Sequence, residues 1–307
     1  MLFFLETVIS GLMAGVMYSL VALGFVLIFK ASGIFNFAQG VFALFAGLAL
    51  YDFISEDGWF YDLFGFALPV WLGIIATMGV MVIVAWLVER LVLRHLVNQE
   101  PIILFMSTIG LAYFLEGVGD ILFGSDVKPL DIGLPQGASD YLLDNYNLYV
   151  EKLEVVAAVV AAVLVIVLAI FFQKTRIGRA LRAVADDHQA ALSVGISLRT
   201  IWVIVWSVSG FVALVAGIMW GSKSGIQFSL SLIALKALPV LILGGFTSVP
   251  GAIIGGLIIG VGEKVAEVYA GPFVGGAIEN WFAYMLALVF LLIRPQGLFG
   301  EKIIERV

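Results

Sequence analysis

Long apolar runs, broken by short polar segments, make up most of the chain. They lie near 5–29, 38–54, 66–89, 101–123, 153–172, 200–221, 229–246, 250–268 and 278–293. A hydrocarbon core about 30 Å thick is crossed by about 20 helical residues rising about 1.5 Å each. The runs at 38–54 and 229–246 are short for that, and tilted, broken or re-entrant helices are expected there. Barrel strands would alternate apolar and polar residues, and these runs do not. The pattern therefore predicts an all-α integral membrane protein, a polytopic bundle of about eight or nine transmembrane helices forming one domain over 1–307.

Composition agrees. Of 307 residues, 62% are hydrophobic and 12% charged, more apolar surface than a water-soluble fold can hide. The chain has no Cys, which removes disulfides and thiolate metal sites. The N-terminal "MLFFLETVIS" has no basic segment, so the first run is expected to stay as an uncleaved span. The net charge of −6 says less than where each sign lies. Segment 173–199 carries Lys174, Arg176, Arg179, Arg182 and Arg199; Arg90, Arg94, Arg294, Lys302 and Arg306 fall at other junctions. Segment 52–62 holds Asp52, Glu56, Asp57 and Asp62 with no Lys or Arg, and 124–152 holds five acids against Lys128 and Lys152. The positive-inside rule puts the basic segments in the cytoplasm and the acidic ones outside. Nine alternating spans then give an external N-terminus and a cytoplasmic C-terminus in a bacterial-type inner membrane. No basic stripe suited to nucleic acid is present.

One segment breaks the apolar pattern. "GRALRAVADDHQAALSVGIS", residues 178–197, packs Arg179, Arg182, Asp186, Asp187 and His188 into about three helical turns. Leu181, Val184, Ala191 and Leu192 share one face, which makes the helix amphipathic. Gly195 suits a left-handed C-cap, with Ile196 folding back as its apolar contact. Such a helix either lies on the membrane surface or docks on a soluble partner.

Other signals are local. Gly11/Gly15, Gly251/Gly255 and Gly256/Gly260 are small-xxx-small pairs, expected to let helices approach closely. "GGFTSVPG", at 244–251, reads as a tight turn between two apolar runs. In "FNFAQG", residues 35–40, Asn36 and Gln39 either cap a helix start or face a water-filled path. Glu116, Asp120, Lys236, Glu263, Lys264 and Glu267 are expected near the outer interface, where long side chains snorkel. The chain has two histidines, His95 and His188. It shows no HExxH or nucleophile elbow, and "GSKSG" at 221–225 lacks the spacing of a phosphate loop. No catalytic, metal or cofactor site is expected in this chain.

Five of these segments, in order, resemble the permease subunits of branched-chain amino-acid ABC importers, the Liv type, whose relatives carry urea, amides or aromatic acids. They are "ALGFVLIFKASGIFNFAQG", "STIGLAYFLEG", "GRALRAVADDHQAALSVGIS", "LKALPVLILGGFTSVPGAIIGGLIIG" and "RPQGLFG". The resemblance implies a permease that pairs with an identical or homologous permease, two ATP-binding subunits and an external substrate-binding protein. ATP and magnesium then belong to the partner ATPases. It further implies that the loop at about 174–199 is a coupling loop, with Arg182, Asp186, Asp187, Ala191, Gly195 and Ile196 carrying contact to the ATPase. Asn36, Phe37 and Gln39 would border the translocation path. Gln39 and Val41 depart from the family's motif, where His and an acid are frequent, so the solute is a branched-chain or other amino acid, or urea, an amide or an aromatic acid. An ion-coupled secondary transporter is the rival reading.

Overall fold

The computed structural model describes residues 2–96, 99–186 and 188–300. Within them the chain forms α1 (Leu2–Ser32), α2 (Gln39–Ile54), α3 (Trp59–Phe64), α4 (Val70–Leu91), α5 (Pro101–Phe123), α6 (Asp140–Tyr146), α7 (Lys152–Lys174), α8 (Arg176–Asp186), α9 (His188–Ser193), α10 (Leu198–Ser224), α11 (Ile233–Gly244), α12 (Val249–Val274) and α13 (Glu279–Ile293). Each of the nine apolar stretches is helical. Among the described residues six helices are long and apolar enough to cross a membrane, and shorter apolar helices accompany them. Two compact units result: residues 27–132 with 166–234, and residues 1–26 with 133–165 and 235–307.

The first of these units is built around α2. This helix is apolar on every side, and its residues from Gln39 to Leu50 are all buried. It packs against α4, α5, α10 and the 3-10 turn Phe228–Leu232. At 16 residues it is about 24 Å long, short for a lipid-facing span but sufficient for a helix sheathed by protein. Of the tilted, broken or re-entrant forms expected for 38–54, the broken one is not found: α2 is continuous. Between apolar helices in lipid the cohesion comes from close van der Waals contact rather than hydrophobic burial. Phe42 meets Trp206 edge-on at 5.7 Å, and Phe45 meets Phe123 at the same separation. Gly40 faces Ser231 O and Gly217 faces Ala43 O, with no room for a Cβ at either position.

In the other unit, residues up to 26 of α1 lie against α12. A Cβ on Gly11, Gly15, Gly256 or Gly260 would strike the opposing helix. The Ser19 hydroxyl donates to Gly15 O at 2.8 Å, with Ala252 O at 3.1 Å as its alternative acceptor. The small-xxx-small pairs are thus helix contacts. The 229–246 stretch starts as the 3-10 turn and continues as α11 with Pro239 inside it. Proline has no N–H, so it leaves the carbonyl four residues back without its helical donor. That carbonyl is Leu235 O, and the Tyr284 hydroxyl of α13 donates to it at 2.7 Å. The "GGFTSVPG" segment is a turn: Gly245 has φ +100°, and Ser248 caps α12 by accepting from Gly251 N at 3.0 Å. The "RPQGLFG" segment lies on that turn, with Leu298 N donating to Leu243 O at 2.8 Å and Phe299 N to Gly244 O at 3.2 Å.

The same unit corrects one expectation. Glu263 does not snorkel to an interface; it is 1% exposed. It pairs with Lys236, whose Nζ also donates to Glu279 O at 2.9 Å. Lys264 pairs with Glu279 at 2.9 Å, and the Tyr18 hydroxyl lies 3.4 Å from Glu263. Segment 133–152 folds over α6, whose C-cap, Asn147, takes φ 53°. Lys152 holds Asp140 at 2.7 Å, and this hydrogen bond and the lysine charge keep the Asp140 carboxyl below the usual carboxylate range.

Candidate coupling hairpin and polar node

Between α7 and α10 the chain reverses through α8 and α9. The α7–α8 corner is fixed by three residues. Thr175 Oγ1 accepts from Gly178 N at 2.9 Å, the geometry of an N-cap, and donates to Phe171 O at 2.6 Å. Gly178 lies so close to the Phe171 and Phe172 carbonyls that a Cβ there would overlap them. Arg182 reaches back and donates through Nη1 to Phe172 O at 2.8 Å. Its cation thus satisfies an orphan carbonyl at the C-terminal end of α7, where the helix dipole favours positive charge.

The amphipathic face is largely as the sequence placed it. Leu181 and Val184 of α8 and Ala191 of α9 are buried, and α8 packs on α10. Leu192 departs from that face and is 51% exposed. Arg179 and Arg182 are exposed. The described residues on either side of 187 are helical, as α8 and α9. Asp187 and the Asp186 side chain lie outside the described residues. At the far end Gly195 takes φ +84°. Gly195 N donates to Leu192 O and Ile196 N to Ala191 O, both at 3.0 Å. These are the paired bonds of a Schellman cap. Ile196 is half-buried. Ser197 then opens α10, its side chain accepting from Thr200 N. The α8–α9 segment is therefore tied to α7 by a bonded corner and to α10 by a capped connection of four residues, 194–197.

The second cluster lies between α1 and α2. Asn36 and Gln39 are fully buried. Asn36 Oδ1 accepts from Ala38 N at 3.1 Å, an Asx-type turn into α2, while no side chain caps that helix directly. Gln39 Oε1 accepts from Ser209 Oγ at 2.8 Å and lies 3.4 Å from Asn36 Nδ2. Thr108 of α5 joins through its hydroxyl, which accepts from Phe37 N at 3.0 Å. Phe37 itself is half-buried and stands edge-on to Phe105 at 6.1 Å. The structure thus groups Asn36 and Gln39 with two hydroxyls that the sequence did not single out. Thr175 carried a readable signal, since a Thr between an apolar run and an amphipathic one is an N-cap candidate, whereas Gly178 carried none. Ser209 and Thr108 carried none: each is a lone hydroxyl in a long apolar run, joined to the node across 170 and 71 residues. Among the described residues no three His, Cys, Asp or Glu side chains are grouped to hold a metal ion.

Comparison with known proteins gives the following. The family described as "Branched-chain amino acid transport system / permease component" matches residues 7–294. The high-affinity branched-chain amino acid transport system permease protein LivH of Escherichia coli is 27% identical, with 100% of this chain and 98% of the relative covered. The permease protein BraD of the corresponding system in Pseudomonas aeruginosa is also 27% identical, over 99% and 98% of the two chains. A probable branched-chain amino acid transport permease LivH of Methanocaldococcus jannaschii is 27% identical, over 92% of this chain and 88% of its own length.

Proposed function

This chain belongs to the branched-chain amino acid transport permease family, and from that premise we propose that it is the membrane-spanning subunit of an ATP-driven importer that moves a branched-chain or similar amino acid inward. It works with a second permease, two ATP-binding subunits that hold the nucleotide and magnesium, and an external binding protein. Its own part is conduction, not hydrolysis. Residues 1–307 act as one permease, with 174–199 in the cytoplasm and 124–152 outside.

The α8–α9 hairpin carries this reading. It is a polar, exposed element in a chain that is otherwise apolar, and it is tied to both flanking helices by bonded turns. An element so anchored passes a push on its outer face to α7 and α10 as a rigid-body displacement. Arg182, Asp186, Asp187, Ala191, Gly195 and Ile196 are the segment's proposed coupling residues. Arg182, Ala191, Gly195 and Ile196 act in it by holding its shape, since each is engaged within the hairpin or its corners. We further propose that the node of Asn36 and Gln39, with Phe37, borders the path. Amide groups are costly against lipid, and here they sit in the turn into the central helix of their unit and at its first residue. They are occupied with one another, so a passing solute contacts them by exchanging partners.

The test is uptake of labelled L-leucine into proteoliposomes containing permease, ATPases and binding protein, with ATP supplied or withheld. Uptake that depends on ATP and exceeds that of urea or an aromatic acid is expected. Asn36→Ala and Gln39→Ala are expected to slow uptake per assembled complex. Uptake indifferent to ATP overturns the importer assignment, and wild-type rates in both variants remove the node from the path.

A further inference from the structure

Beside the hairpin, within its own unit, lies a cavity of about 430 Å³, within the size range of small-molecule sites. Its wall comes from the end of α4 and the turn after it (Glu89, Arg94), from α9 (Leu192) and from the start of α10 (Ser197, Arg199, Trp202). Three of these residues carry a buried polar atom with no hydrogen-bond partner: Glu89 Oε1, Arg94 Nε and Trp202 Nε1. Glu89 is 2% exposed and Trp202 5%. The other Glu89 oxygen is paired with Arg94 Nη2 at 3.3 Å. Buried polar groups are nearly always satisfied, and each one left alone is costly. One unpartnered acceptor and two unpartnered donors thus belong to residues that wall one cavity, and the charges of those residues describe an occupant by their complement.

That occupant donates at one end and accepts at the other. An anionic group there has Arg94, Arg199 and the N-terminal end of α10 among its wall residues, where the helix dipole favours negative charge. An ammonium faces Glu89. Leu192, Leu198 and the Trp202 ring supply apolar wall. A carboxylate, an ammonium and a compact aliphatic side chain form an aliphatic α-amino acid. We propose that this cavity binds a free aliphatic amino acid, and that occupancy ties α9 to the ends of α4 and α10 and slows ATP turnover. This rests on the importer reading above. With 174–199 in the cytoplasm, the site samples the delivered solute, which makes it a product-sensing site separate from the path.

The experiment uses the permease–ATPase complex in nanodiscs without binding protein, titrated with L-leucine by calorimetry, with ATP hydrolysis followed in parallel. Saturable leucine binding that lowers the hydrolysis rate is expected. Leucinamide, which lacks the carboxylate, and 4-methylpentanoate, which lacks the ammonium, are expected to bind at least about tenfold more weakly, since each forfeits a charge-assisted contact. Glu89→Gln removes the carboxylate charge and Trp202→Phe the indole N–H while keeping a ring in the wall. Each is expected to weaken leucine about tenfold and to relieve the slowing. Leucine bound in the path instead is indifferent to both substitutions, and that result overturns the proposal. Absence of saturable binding overturns it too, as does equal binding of phosphoethanolamine, which marks a lipid-headgroup site. ATP-driven leucine uptake, measured separately, decides the importer reading whichever way the cavity behaves.

Discussion

Single residues here act mainly through space and through unsatisfied backbone. Gly256 on α12 leaves no room for a methyl group beside Gly15 O and Ser19. Gly256→Ala is therefore expected to destabilise the protein by about 1–3 kcal/mol, the usual cost of overpacking. Gly117 on α5 has no such neighbour within 4 Å, and Gly117→Ala is expected to be neutral or slightly stabilising, because alanine is the better helix former. Thermal denaturation of the detergent-purified protein compares the two; equal loss in both would refute the close-contact account. The pairing of Pro239 with Tyr284 makes a sharper case. Tyr284→Phe strips Leu235 O of its donor and is expected to cost about 0.5–1.5 kcal/mol. In a Pro239→Ala background the restored helical N–H serves that carbonyl, so the same substitution is expected to cost little. A double-mutant cycle on melting temperature reads the coupling, and additive effects would show that the hydroxyl does not stand in for the missing N–H.

At the scale of elements, the hairpin's integrity rests on its turns. Gly195→Val forces a β-branched residue to φ +84°, a strain of about 1–3 kcal/mol. The variant is expected to reach the membrane in normal amount and lose ATPase association; wild-type association and transport would refute the coupling role. Much of this level was legible in the sequence, and the reason is physical. Spans must satisfy their backbone internally, so long apolar runs become helices, and Gly195 and the 244–251 cluster mark turns through φ > 0 and the loss of an N–H at proline. What the sequence hid depends on distant partners. The part-buried ion pair of Lys236 and Glu263 joins residues 27 apart, and without α11 beside α12 each charge reads as interfacial. The burial of Asn36 and Gln39 needed α10 to supply Ser209. The sheathing of α2 by four neighbours explains why a stretch too short for lipid stays one unbroken helix.

At the scale of the whole molecule, the arrangement proposed above has acidic segments outside, the basic α8–α9 segment inside and ATPases below it. With no native Cys, single cysteines report sidedness directly. Tyr141 is 68% exposed and Val194 74%. An impermeant thiol reagent applied to intact cells is expected to label Tyr141→Cys and spare Val194→Cys, and the opposite labelling would reverse the orientation. The central claim, that this permease is driven by ATP-binding subunits engaging the α8–α9 hairpin, is tested most directly by affinity purification of the tagged chain from its native membrane. The account predicts an ATP-binding subunit recovered in equal amount with the wild-type chain and lost with Gly195→Val. Purification of the wild-type chain alone, with leucine uptake driven by an ion gradient in its reconstituted form, would contradict it.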